Sequence, residues 1–98
     1  MNTYLILFSF TQKGIEGVTN LASRIDGAKQ AISKHGGKLE SFHGILGSRY
    51  DTMTIVKAAN DEKIATIAMA ISRLGNVRSE THRLFSEDEL VKLTKLIG

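Results

Sequence analysis

The sequence predicts an α+β domain of the ferredoxin-like type, and three observations predict it. Four stretches are β-prone with alternating side chains, two intervening stretches carry apolar residues at helical spacing, and the resulting order is β-α-β-β-α-β plus a C-terminal helix. Right-handed crossovers then place both main helices on one face of a four-stranded antiparallel sheet and leave the other face open. Ninety-eight residues make a single domain, residues 1–98. A chain of that size buries roughly 65% of its unfolded surface without staples.

Thr3–Phe10, TYLILFSF, is apolar on both faces and so reads as a central strand covered twice. Leu5 and Leu7 are expected to face the helices, with Tyr4, Ile6, Phe8 and Phe10 on the open side. Thr11 opens a helical region broken near Gly14 and Gly17. From Val18 its apolar positions are 18, 21, 22, 25, 28 and 32, and His35-Gly36-Gly37 ends it. Lys38–Leu46 and Tyr50–Ala58 form a strand pair joined by Gly47-Ser48-Arg49. Met53 and Ile55 are expected on the helix side, and Tyr50, Thr52, Thr54 and Val56 outside. Asn60-Asp61 caps a helix striped by Ile64, Ile67, Ala68 and Ile71, which leads to Leu74 and stops at Gly75-Asn76. Val77–Phe85 is the fourth strand. Ser86 and Glu89 then make a capping box for a last helix bearing Leu90, Val91, Leu93, Leu96 and Ile97.

Composition removes several function classes. With no cysteine there are no disulfides, thiolate zinc sites or cysteine nucleophiles. The net charge of +3 is spread over scattered basic residues, which is no footprint for nucleic acid. The third strand, DTMTIVKA, also lacks the aromatics of an RNA-recognition sheet. There is no GxGxxG, no Walker lysine, no HxH and no HExxH, so neither a cofactor nor a metal is expected. The N-terminal apolar run has no basic flank, and no stretch is long enough to span a membrane. The expected location is the cytoplasm.

An open face carrying Tyr4, Phe8 and Phe10 would show water an aromatic patch, and such patches mark interfaces or ligand grooves. The expected partner is a second copy of the chain, packed sheet to sheet. The terminal helix is an alternative cover, either folding back across the sheet or clasping the partner.

TYLILFSFTQKGI near the start, GGKL before the second strand, a glycine closely followed by Tyr50-Asp51, and GNVRSET near the end together resemble the GYD-domain family. The resemblance extends to about Glu89. It implies a dimeric α+β barrel of two ferredoxin-like units, in a superfamily that includes cofactor-free monooxygenases, small isomerases and haem-handling relatives. It implies no particular reaction. Two residues, Ser48 and Arg49, stand between the glycine and Tyr50-Asp51 where the family pattern has one. The second strand, SFHGILG, is also less hydroxylated and aromatic than the pattern, so His43 and Ile45 would alter what a pocket there accepts.

His43 and His82 fall on the two edge strands, far apart within one subunit. A face-to-face dimer would bring them together with Glu80 as an acid–base or metal cluster, although a lone strand histidine is more ordinarily a surface residue. Arg78, Glu80 and His82 alternate and share a face. They could bind a carboxylate and move a proton, or form the charged, aggregation-resistant face of an edge strand. Asp51 is expected to bond amides near its turn, and Tyr50 to rim a pocket. The leading reading is a homodimer or higher oligomer that binds a small organic molecule between its sheets. Tyr4, Ile6, Phe8, Phe10, His43, Tyr50, Thr52, Thr54 and Arg78 would line that space. The second reading is a cofactor-free oxygenase or isomerase using His43, His82 or Glu80. The third is a structural assembly module without ligand.

Overall fold

A computed structural model describes residues 1–98. Its four strands are β1 (Asn2–Phe10), β2 (Lys38–Gly44), β3 (Thr52–Ala58) and β4 (Val77–Leu84). They form one antiparallel sheet in the order β2-β3-β1-β4, so β2 and β4 are the edges, as the connectivity predicts.

The helices are α1 (Gln12–Glu16), α2 (Leu21–Lys34), α3 (Asp61–Ser72) and α4 (Glu87–Thr94), with a 3-10 turn at Val18–Asn20 between the first two. The expected break after Thr11 has a local cause. Thr11 caps α1 by accepting from the Gly14 N–H, and Gly14 lies so close to the Asn76 carbonyl that a Cβ would overlap it. Arg24 then donates from Nη2 to the carbonyls of Gly14 and Gly17, satisfying the end of the short helix from the next one. Asn60 caps α3 by accepting from the Lys63 N–H. The Ser86–Glu89 capping box at α4 is complete in both directions.

Core packing reverses the expected facing of two strands. Tyr4, Ile6 and Phe8 of β1 and Val56 and Ala58 of β3 are buried against Ile32 of α2 and Ile64 and Ile67 of α3. Thr52 and Thr54 are buried in phase with them. Leu5, Leu7, Met53 and Ile55 therefore occupy the open face. Size and polarity explain the choice. The two aromatic rings fill the deeper space under the helices, while small Thr52 and Thr54 stand across from Phe8 and Ile6. The Tyr4 hydroxyl needs a partner when buried, and Asp61 in the first turn of α3 accepts its hydrogen bond at 2.6 Å. Burial, reinforced by that bond, raises the Tyr4 pKa.

Two boundaries also differ. β2 ends at Gly44 and β3 begins at Thr52, so residues 45–51 form a longer connection than a three-residue turn. The last helix does not fold back over the sheet. α4 makes no substantial packing contact with any other helix or strand. Its Leu90, Val91 and Leu93 are exposed, and Leu96 and Ile97 beyond it are 82% and 86% exposed. The radius of gyration of 14.8 Å exceeds the ~13 Å of a compact chain this long, as a projecting helix requires.

Candidate functional site

Strand register sets the pattern of the open face. One row across the sheet reads His43, Met53, Leu7, Glu80, and the next reads Ser41, Ile55, Leu5, His82. Leu5, Leu7, Met53 and Ile55 thus form an apolar square at the centre. Glu80 and His82 border it on the β4 side, His43 and Ser41 on the β2 side, and Arg78 stands beside Ser9 at one end. His43 and Glu80 are three strand spacings apart, roughly 14 Å.

The connection before β3 completes this face. Asp51 accepts the Phe10 N–H through Oδ2 at 2.7 Å and donates its own N–H to the Phe8 carbonyl at 2.8 Å. The aspartate side chain therefore clamps the end of the central strand, and the amide of its own connection, that of Ile45, is taken by the Asp51 backbone carbonyl. Adjacent Tyr50 reaches across the sheet, and its hydroxyl donates to Glu80 Oε1 at 2.5 Å. The other carboxylate oxygen of Glu80 lies 2.7 Å from His82 Nε2. Arg49 sits over the Tyr50 ring, 5.1 Å from its centroid. Tyr50, Glu80 and His82 thus form one hydrogen-bonded array on the rim of the apolar square.

The Tyr50 hydroxyl, followed by His82, holds the Glu80 carboxyl below its ordinary pKa. A depressed carboxyl stabilises the fold above its unfolded pKa, and that contribution is lost as pH falls through the lower folded value. Glu80→Gln should therefore lower the urea midpoint at about pH 7, and the difference should be smaller near pH 3, below the ordinary carboxylate pKa, because the contribution is lost as the carboxyl takes up its proton. Equal differences at the two pH values would show that ionisation of Glu80 contributes nothing.

The nine residues expected to line one space are divided between two faces. Tyr4, Ile6, Phe8, Thr52 and Thr54 are buried beneath the helices. Phe8, Phe10 and Thr52 also border a pocket on that side. His43, Tyr50 and Arg78 belong to the open face, as do Glu80 and His82. The register there adds Leu5, Leu7, Ser41, Met53 and Ile55, which local sequence patterns do not assign to the site. Lys57 is the usable signal for them. It shares a phase with Met53 and Ile55, and a lysine stem can border an open face more readily than fill a core.

A four-stranded antiparallel sheet with its helices on one side and a polar-rimmed apolar patch on the other defines a ferredoxin-like α+β domain. The chain belongs to the GYD domain family, whose sequence pattern matches residues 4–94. No match is found among curated proteins. Among solved structures, the chain is similar to 5-chloro-2-hydroxyhydroquinone dehydrochlorinase from Burkholderia phenoliruptrix in complex with 2,5-dihydroxybenzoquinone. That match has a TM-score of 0.63 at 11% identity over 88% of this chain and 96% of the other. A 30S ribosomal protein from Thermotoga maritima aligns with a TM-score of 0.60 at 18% identity, covering 99% and 98% of the two chains. An ACT domain protein from Streptococcus pneumoniae aligns with a TM-score of 0.51 at 15% identity, covering 85% and 89%. At these identities the likeness is one of fold. No helix is long and apolar enough to cross a membrane.

Proposed function

We propose that the protein is a homodimer, packed sheet to sheet, that binds a small organic molecule between its two open faces. The observation that carries this reading is the apolar square rimmed by the Tyr50–Glu80–His82 array, on a face that no element of the same chain covers. Apolar walls with a few fixed polar groups are what a small-molecule site requires. The square supplies the walls, and Tyr50, Glu80 and His82 supply oriented polar atoms. A planar, hydroxylated ring fits this chemistry, and the structural neighbour in complex with 2,5-dihydroxybenzoquinone supports it.

A second reading is enzymatic, and the contact between His82 and Glu80 favours it. With Nε2–H of His82 assigned as donor to the carboxylate, Nδ1 keeps its lone pair and acts as a base, while Glu80 fixes the ring. Arg78, on the same face, would orient an acidic substrate.

Native mass spectrometry of protein taken directly from cells tests both readings. The expected spectrum is a dimer with a reproducible added mass, which declines in the Tyr50→Phe/His82→Ala variant while the dimer persists. A dimer without added mass would favour a purely structural assembly, and a monomer would overturn the proposal. Consumption of the bound molecule by wild type but not by His82→Ala would select the enzymatic reading.

A further inference from the structure

The pocket on the helix side of the sheet is one that the ligand reading above does not use. Beside the isoleucine-packed core, the small residues Gly27, Ala28 and Ala31 of α2 and Ala70 of α3 leave a pocket of about 230 Å³ near Phe8 and Phe10. Eleven of its sixteen lining residues are hydrophobic, so it favours an apolar occupant. Phe8, Phe10 and Phe42 contribute from the sheet, and Ile25 and Ile71 from the helices. On α2, a Cβ added at Gly27 would meet nothing within 4 Å, so the helix leaves open space there.

One lining residue is out of character with the rest. Arg24 is partly buried and takes part in no ion pair with any carboxylate of the chain. Its Nη2 is held by the Gly14 and Gly17 carbonyls, whereas Nη1 is buried with no hydrogen-bond partner. A partly buried cation without a counter-ion is costly, and a carboxylate reaching the guanidinium from the pocket satisfies its charge. Anchoring through Nη2 also keeps the guanidinium ordered before any ligand arrives.

We propose that this pocket binds a small amphipathic carboxylic acid. The hydrocarbon or aryl body lies on the phenylalanines between the helices, and the carboxylate pairs with Arg24. An apolar cavity of about 150 Å³ accepts benzene, so this one suits a body of roughly six to ten carbons. A ligand of that size is expected to bind with a Kd of roughly 0.1–1 mM.

The test is a methyl-detected NMR titration of the full chain with octanoate, using octanamide as its uncharged counterpart. Saturable octanoate shifts at Ile25 and Ile71 are expected, with octanamide at least about tenfold weaker. Arg24→Met should weaken octanoate to the level of octanamide. Because Arg24 also holds the α1 turn, Ala28→Leu provides a second variant that fills the pocket and keeps the charge. It should abolish binding with the fold intact. Equal affinity for acid and amide, unchanged binding in Ala28→Leu, or no binding up to about 10 mM would each overturn the proposal. So would concentration-dependent shifts of the same methyls without ligand that disappear on deleting residues 87–98, since the occupant would then be α4 of a second copy.

Discussion

Replacing Phe8 by alanine is expected to lower the unfolding free energy by about 3–5 kcal/mol. Native domains hold only about 5–15 kcal/mol in total, so the loss is a large share of the stability. Phe8 is 4% exposed, on the central strand between Thr52 and Ser79. Truncation removes the contacts of a whole ring and enlarges the adjoining pocket, whose other walls are held by helix packing and cannot simply close. The check is urea unfolding at two protein concentrations, combined with a measurement of mass in solution. A lower midpoint at both concentrations with unchanged mass would place Phe8 in the subunit core. A loss under about 1 kcal/mol, or a change in assembly alone, would instead return Phe8 to the open face, where it is expected from sequence.

That contrast shows where the sequence is informative. The order of elements, the caps at Asn60 and Ser86, the stripe on α3 and the edge positions of β2 and β4 all follow from local patterns, and the fold carries them. Alternation also puts Arg78, Glu80 and His82 on one face, and it separates Tyr4, Ile6 and Phe8 from Leu5 and Leu7. It states a phase without saying which phase meets the helices. β1 has two apolar faces, so its own residues cannot decide.

Neighbouring strands can decide it. Lys57 on β3 and Ser9 on β1 both fall in phase with the aliphatic set, and Arg78, Glu80 and His82 of β4 lie on the same side through the register. Polar residues in that phase on all three strands mark it as the face that meets water. The links between Tyr50 and Glu80 and between Asp51 and the Phe10 amide are of another kind. They join residues 30 and 41 positions apart and depend on the path of residues 45–51, for which a single sequence has no local signature.

Leu7→Asp is expected to convert the proposed dimer into a monomer while leaving each subunit folded. Leu7 sits between Met53 and Glu80, at the inner edge of the apolar square. In a two-fold contact of identical faces every substitution occurs twice, so two carboxylates would enter one apolar interface. Each costs several kcal/mol when desolvated without a partner, and Glu80 on the adjacent strand adds repulsion instead of relief. A rise in Kd of at least about a hundredfold follows, since each 1.4 kcal/mol is tenfold. The sheet face measures only roughly 20 by 23 Å, against the ~800 Å² per partner of a standard interface, so its apolar centre must contribute strongly for the dimer to hold. Leu46→Asp is the control, because Leu46 is fully exposed in the connection before β3 and should leave the mass unchanged. Sedimentation of the two variants with circular dichroism separates the outcomes. A folded Leu7→Asp monomer beside a Leu46→Asp dimer supports face-to-face assembly. A Leu7→Asp chain that stays dimeric would move the interface off this face, and the proposed ligand site with it.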